Sequence, residues 1–575
     1  MSRPAVAAVC LALALVTFFQ FPGHTWLQQD TQIYAAILER QWDPAALRND
    51  ILTLHPHVSF TLYDEAARAL RAATGLNFRT VLALQQVLTR ALGIWGLYLM
   101  ALALASRRPF LVASVCALGA AIAGPVVLTF EYEPTPRAFA IPLVICAIGL
   151  AARGRYLAAG FAAAAAFLYH PPSALAFCML FAILVCRVGR TPPSARDPLV
   201  ALLPLLAAAI ILAIAARGPI AQPFFGRIPA FQEQLQRMRA SYCWISLWPR
   251  AVIWHQLILF AIVLAAYGRL RREIPARLGI FALGLPTLGI LSMPVSWLLL
   301  ERLHWVLIPQ LQPLRALLFV ALMVQFLGAA AAVRAALRRQ WVESAAWFFA
   351  AYLVPLQPVF TQNFDIRRLS VALLLALIAI AAARFAPVLG LAAFVAIPVL
   401  GGVANYPALH TPQLAQLSAW ARASTPRDAV FFFPDAGHAL DPGIFRADSV
   451  RAVYVDWKGG GQVNYFADFA REWGRRWQIA MAGPLDISRY APLGIDYIVL
   501  RPQHRLARAP SFEDAGYVVY AVTRTHRISV TLDHARASIA HGEGRVVTQE
   551  SMRELAAEVK ERGRARLIAE LGPSR

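Results

Sequence analysis

Directly after a first long apolar run, Ala5 to Pro22, the chain reads Gly23-His24-Thr25-Trp26-Leu27-Gln28-Gln29-Asp30-Thr31-Gln32-Ile33-Tyr34. A carboxylate held just outside a membrane segment can act as a base or metal ligand on a substrate delivered at the bilayer surface. Asp30 and Thr31 equally suit the start of a helix, and Trp26 suits the interfacial aromatic belt. Both readings stay open on this stretch alone.

Further polar clusters recur at intervals. Leu54-His55-Pro56-His57 follows Asp50, and alternate residues of an extended segment share a face, as two metal ligands would. Glu131-Tyr132-Glu133-Pro134-Thr135-Pro136-Arg137 is a short acidic turn closed by an arginine. Leu168-Tyr169-His170-Pro171-Pro172 ends one apolar run, and Gln310-Leu311-Gln312-Pro313-Leu314-Arg315 begins another. Gln362-Asn363-Phe364-Asp365-Ile366-Arg367-Arg368 precedes a third. An arginine at the entry to a span, such as Arg315, suits a lipid phosphate, because its planar fork binds two phosphate oxygens at once. Plainer roles exist for each: a broken-helix cap for His170, interface anchoring for Arg315 and Arg367, pairing with Arg137 for Glu131 and Glu133. Near the C-terminus, Arg451 leads into a strand that ends at Asp456-Trp457-Lys458-Gly459-Gly460-Gly461, where glycines let a ligand approach the backbone. Walker spacing is absent there. Arg451, Asp456 and Lys458 are therefore candidates for acceptor contact, and Asp50, His55 and His57 are candidates for substrate binding.

The elements that position these residues follow from composition. The 575 residues are 59% hydrophobic and 15% charged, with mean hydropathy +0.54. Apolar runs of ~18 or more residues recur up to about Ala404, each long enough for ~30 Å of hydrocarbon. They predict an all-α polytopic membrane protein of about thirteen transmembrane helices. The spans are placed near 5–22, 84–105, 109–130, 138–152, 156–169, 172–187, 198–216, 250–267, 277–299, 315–333, 341–358, 368–383 and 386–404. The first is read as an anchor rather than a removed signal peptide. Net charge is +22, yet only Lys458 and Lys560 are lysines, and no basic block or stacking module points to nucleic acid. Arginine-rich connections (Arg107-Arg108, Arg153/Arg155, Arg187 to Arg196, Arg269 to Arg277, Arg334 to Arg339, Arg384) alternate with longer, polar ones. That pattern predicts a cytoplasmic N-terminus, with the polar clusters on the opposite face. The six cysteines form no CxxC pair, so neither a disulfide framework nor a zinc site is suggested.

The first outer loop, 23–83, has helical stretches at 35–40 and from Asp43-Pro44, and an amphipathic one at 62–73. A second amphipathic helix is expected at 230–240. From Thr411 the composition becomes that of a soluble protein. A helix at 412–424, strands at 429–433, 450–455, 497–500 and 517–522, and helices at 463–479 and near Leu485 predict a small extracytoplasmic α/β domain. The domains are thus 1–405 (membrane, with loop 23–83), 406–525 (α/β) and 526–575, a charged tail with one expected helix at 551–570.

On this layout, and on Asp30 after the first span, the acids of the 131–133 turn, and Trp420-Ala421-Arg422-Ala423-Ser424-Thr425-Pro426 before an apolar strand, the chain resembles the GT-C superfamily of polytopic glycosyltransferases. The resemblance runs to about residue 525. It implies a polyprenyl-phosphate sugar donor, a lipid or glycan acceptor, and transfer at the outer face of a bacterial inner membrane. Asp30 would be the base or metal partner, assisted by Glu131, Glu133 or His170, with Arg315 and Arg137 on the phosphate. A divalent metal is the one cofactor under consideration, and Asp30 lacks the adjacent acid of some branches of the superfamily. The rival expectations are an O-antigen ligase or polymerase, and a lipid or glycan transporter.

Overall fold

The structure, a computed structural model of the chain, describes residues 2–19, 23–55, 61–118, 122–123, 127–128, 131–188, 200–215, 225–352, 409–482 and 487–522. It is mostly helical, with one small sheet near the C-terminus. Two units emerge from its contacts: Met1–Thr31 with His57–Tyr406 and Val463–Ala467, and Gln32–Pro56 with Pro407–Gln462 and Asp468–Arg575.

In the first unit the helices are α1 Arg3–Phe19, α3 Tyr63–Thr74, α4 Phe78–Ala103, α5 Pro109–Leu118, α6 Pro136–Ala152, α7 Tyr156–Tyr169, α8 Pro171–Val188 and α9 Leu203–Ala215. They continue with α10 Ala230–Arg239, α11 Arg250–Leu270, α12 Ala276–Ser296, α13 Leu318–Leu337 and α14 Trp341–Tyr352; α2, Thr31–Trp42, begins at the boundary and belongs to the second unit from Gln32 onward. Among the described residues, four helical stretches are long and apolar enough to cross a membrane: Phe78–Ala103, Arg250–Leu270, Ala276–Arg302 and Ile308–Leu337. Shorter apolar helices accompany them, and the chain is a multi-pass membrane protein.

Two helices, apolar all round, form the centre of this unit. In α6 every residue but Arg137 is buried, and α13 is buried from Leu318 to Val333. Glycines let α4 and α6 meet at backbone distance. A Cβ on Gly96 would lie 2.5 Å from the Cys146 Cα, and one on Gly149 would lie 2.4 Å from the Gly96 carbonyl oxygen. This contact sets the height of the Glu131–Arg137 turn, since Pro136 at the first position of α6 and Thr135 as its cap follow that turn directly. Past Pro294, α12 runs into a wider π-type turn, Trp297–Arg302, a feature often found at working sites.

Most of the spans read in the sequence coincide with helices. The stretch 109–130 does so only in part: among its described residues, 109–118 form α5, and β1 Ile122–Ala123 pairs antiparallel with β2 Val127–Leu128. Gly119 and Gly124-Pro125 in that stretch disfavour a continuous helix. The spans at 368–383 and 386–404, most of the second half of 341–358, the Gln362–Arg368 cluster, His57 and the 526–575 tail lie outside the described residues. The amphipathic helices expected at 62–73 and 230–240 are α3 and α10.

The second unit carries a sheet of order β4-β3-β5-β7-β6, built from β3 Val430–Phe432, β4 Ala452–Val453, β5 Tyr497–Leu500, β6 Phe512–Glu513 and β7 Val518–Ala521. The strand β3 runs parallel to β4 and β5, while β5–β7 and β7–β6 are antiparallel. Its helices are α15 Pro412–Ser424, α16 Asp441–Ser449 and α17 Ala467–Met481, the last belonging to this unit from Asp468. Stacked aromatics fill the core, with Phe431 4.8 Å from both Tyr497 and Phe445 by ring centroid. Two expectations change here. The helix α16 was not anticipated, because its Pro442-Gly443 start reads as a turn. Residues 32–56, expected with the membrane part, group with the C-terminal domain. After α2 this segment has turns rather than a helix at Asp43-Pro44, followed by the short 3-10 helix Ile51–Leu54, capped by Asp50.

Candidate active site

In the first unit, two loops are stitched together. The Thr25 amide donates to the Tyr132 carbonyl at 3.1 Å. The buried Glu133 takes the Gln29 amide at 2.6 Å, the Thr31 hydroxyl at 2.6 Å and the Thr31 amide at 3.4 Å. The Leu27 amide donates to the Thr31 hydroxyl, and Leu27 itself adopts a left-handed backbone, φ 59°, unusual for a residue with a Cβ. Glu133 thereby serves the first turn of α2, where a carboxylate satisfies amides that no helix carbonyl can reach.

The same frame aims Asp30. Arg137 Nη1 donates to Asp30 Oδ2 at 2.9 Å, and Arg137 Nε donates to Glu131 Oε1. The Glu131 side chain is 2% exposed and that of Asp30 29%, so Asp30 is the more exposed of the two acids. From α4, the buried Arg90 reaches the carbonyls of Thr17 at 2.8 Å, Gly23 at 2.7 Å, and Glu131. Gln86 donates to the Glu131 carbonyl, and its own oxygen receives the His24 Nδ1 proton at 2.8 Å. Burial pushes His24 down to about 4, and Arg90 and Arg79 act the same way against the Gln86 hydrogen bond. Arg90 and Gln86 were not singled out in the sequence. A lone arginine inside an apolar helix was the available signal.

Arg315 follows Gln312 in a tight turn. Its Nε donates to the Gln312 side-chain oxygen at 2.8 Å, and its guanidinium lies 5.7 Å from the Tyr242 ring centre. A small cavity here is lined by Tyr242, Cys243, Ser296, Leu300, Gln312 and Arg315. His170 caps α7, and the Ser173 amide donates to its Nδ1 at 3.3 Å, which leaves the ring proton on Nε2. Burial holds His170 well below its ordinary value; Arg315 and Arg137 push the same way and Asp30 opposes them. Burial also raises Tyr242 and Tyr465, and Arg315 and Asp30 act on both in opposite senses. Asp30, Arg137, His170 and Arg315 therefore share one electrostatic environment with two tyrosines that sequence reading passed over.

The other candidates occupy the second unit. Asp50 Oδ2 accepts from Arg446 Nε at 2.8 Å and from the Val453 amide of β4 at 2.8 Å. Arg446 also binds Asp456, whose other oxygen takes the Gly459 amide at 2.8 Å. The three side chains are at most 1% exposed, and although burial opposes the charge on Arg446, Asp456 and Asp50 together raise its pKa. Arg451 donates to the Thr425 hydroxyl and to the carbonyls of Arg422, Thr425, Ser449 and Val450. Lys458 is buried in the same region. His55 pairs with Asp468 at 2.9 Å. Among the described residues, no group of three or more histidines, cysteines or carboxylates could hold a metal ion.

Residues 413–480 match a family described as a domain of unknown function, DUF6798. No curated protein matches the sequence. Among solved structures, ArnT from Cupriavidus metallidurans in the apo state is similar over 91% of this chain and 98% of its own, with 13% identity and a TM-score of 0.47. ArnT from the same organism bound to undecaprenyl phosphate is similar over 91% and 99%, with 11% identity and a TM-score of 0.46. An arabinofuranosyltransferase, AftD from Mycobacteria, is similar over 91% of this chain and 40% of its own, with 16% identity and a TM-score of 0.45.

Proposed function

We propose that this protein transfers a sugar from a polyprenyl-phosphate donor to a lipid or glycan acceptor at the outer face of a bacterial inner membrane. The supporting observation is the Asp30–Arg137–Glu131 chain, whose partly exposed carboxylate, that of Asp30, acts on His170 and Tyr465 together with Arg315, a cation suited to phosphate. Arg315 holds the lipid phosphate, with Arg137 completing the positive side. The acceptor hydroxyl donates its hydrogen bond to Asp30. Its oxygen then bonds to the anomeric carbon while the bond from that carbon to the phosphate oxygen breaks. The phosphate leaves with the electron pair, the hydroxyl proton passes to Asp30, and the sugar configuration inverts. Glu131 orients Arg137, Glu133 fixes the turn that presents Asp30, and His170 offers a neutral donor at Nε2. In the second unit, Asp50, Asp456 and Arg451 hold the domain together.

The test uses the full chain in lipid nanodiscs with a panel of undecaprenyl-phosphate sugars, following release of undecaprenyl phosphate. Wild-type protein is expected to release it with one or more donors. Arg315→Lys is expected to need about tenfold or more extra donor, because a point charge replaces a bidentate fork. Failure of the wild-type protein both to consume any donor and to bind undecaprenyl phosphate would overturn this function.

A further inference from the structure

The segment Val463–Ala467 comes from the C-terminal third of the sequence yet packs in the first unit. Four hydrogen bonds hold it there. Gln232 Nε2 donates to the Val463 carbonyl at 2.9 Å, and Asn464 Nδ2 to the Tyr242 hydroxyl at 3.2 Å. Gln310 Nε2 donates to the Tyr465 carbonyl at 3.3 Å, and Gln312 Nε2 to the Tyr465 hydroxyl at 3.0 Å. The last bond governs the others' consequence. An amide has one accepting and one donating end, and the oxygen of Gln312 receives Arg315 Nε at 2.8 Å. The Tyr465 hydroxyl accepts at the donating end, so it anchors the Gln312 amide in the orientation whose oxygen receives the guanidinium. Gln312 also sits in the left-handed region, φ 44° and ψ 62°, a conformation that persists for a residue with a Cβ only where its surroundings enforce it. Asn464 meanwhile holds the hydroxyl of Tyr242, the ring beneath Arg315.

Resting on the reading that Arg315 holds the lipid phosphate, we propose that Tyr465 is a positioning residue for Arg315, acting through the Gln312 amide. The phosphate site is then complete only when Val463–Ala467 is seated. Deleting one hydroxyl leaves the chemistry at Asp30 untouched and loosens the grip on the donor.

The experiment is a cycle of Tyr465→Phe, Arg315→Lys and the double variant, in the full chain in nanodiscs, read as donor KM, kcat and the lipid-free melting temperature. Tyr465→Phe is expected to raise donor KM about five- to twentyfold with kcat within about twofold of wild type. The double variant is expected to be no worse in KM than Arg315→Lys alone. Unchanged KM, or loss confined to kcat, overturns the proposal. If the wild-type protein neither binds undecaprenyl phosphate nor uses a donor, the functional reading fails, and the lipid-free melts decide the relay separately. Melting losses that overlap in the double variant support it, and strictly additive losses overturn it.

Discussion

Asp30 and Glu133 are both carboxylates on one pair of loops, yet their surroundings give them opposite work. Glu133 is buried and takes backbone and hydroxyl protons, whereas Asp30 reaches solvent with Arg137 on one oxygen. Asp30→Asn keeps the shape and removes the charge. If Asp30 receives the acceptor proton, transfer is expected to fall by a factor on the order of 10²–10⁴, with folding changed by at most ~1 kcal/mol. Full transfer at equal amounts of folded protein would remove Asp30 from the reaction and turn attention to Glu131. His24 makes a second prediction. With its folded value near 4 against an ordinary 6.5, the unfolded chain binds a proton below pH 6.5 that the folded chain refuses. Stability is therefore full above that pH and lost as pH falls, by at most about 1.4 kcal/mol per unit. His170 acts in the same sense. Melting temperatures at pH 7.5 and 5.0 should differ less in His24→Gln than in wild type; an identical pH slope would refute the assignment.

Among the elements, the edge strand β4 and helix α16 are joined to the segment 32–56 through Asp50, Arg446 and Asp456. A fully buried arginine between two carboxylates is stable only while all three charges are present. Arg446→Met leaves two buried carboxylates unpaired and is expected to cost about 3–5 kcal/mol, read as a lower melting temperature of the full chain and faster proteolysis within 407–522. Adding Asp50→Asn and Asp456→Asn to that variant should recover part of the loss. No recovery would mean that the charges are not the cause. The helix α16 was hidden because Asp441-Pro442-Gly443 resembles a turn, although proline is well placed in the first turn of a helix.

For the whole molecule, the alternation of arginine-rich and polar connections makes one prediction independent of any side-chain geometry. A reporter fused after Tyr406 should be active only if it needs an extracytoplasmic environment. Activity of a cytoplasmic reporter at that position would reverse the topology and move the Asp30 site to the wrong face for an outer-leaflet donor.

The periodicity and length of apolar runs made the helices from α4 to α13 legible, because burial in lipid or protein demands continuous apolar sequence and satisfied backbone bonds. Asp30, Glu131, Glu133, Arg137, His170 and Arg315 were legible too, as ionisable groups at the ends of such runs. Sequence did not separate their roles, since solvent access and hydrogen-bond partners come from contacts such as Gln29–Glu133, more than a hundred positions apart. Nor did it reveal that residues 32–56 join the C-terminal domain or that Tyr465 reaches Gln312. Those pairings join stretches with no shared local pattern. A buried hydrogen bond between distant residues leaves no periodic trace, so only the folded chain decides it.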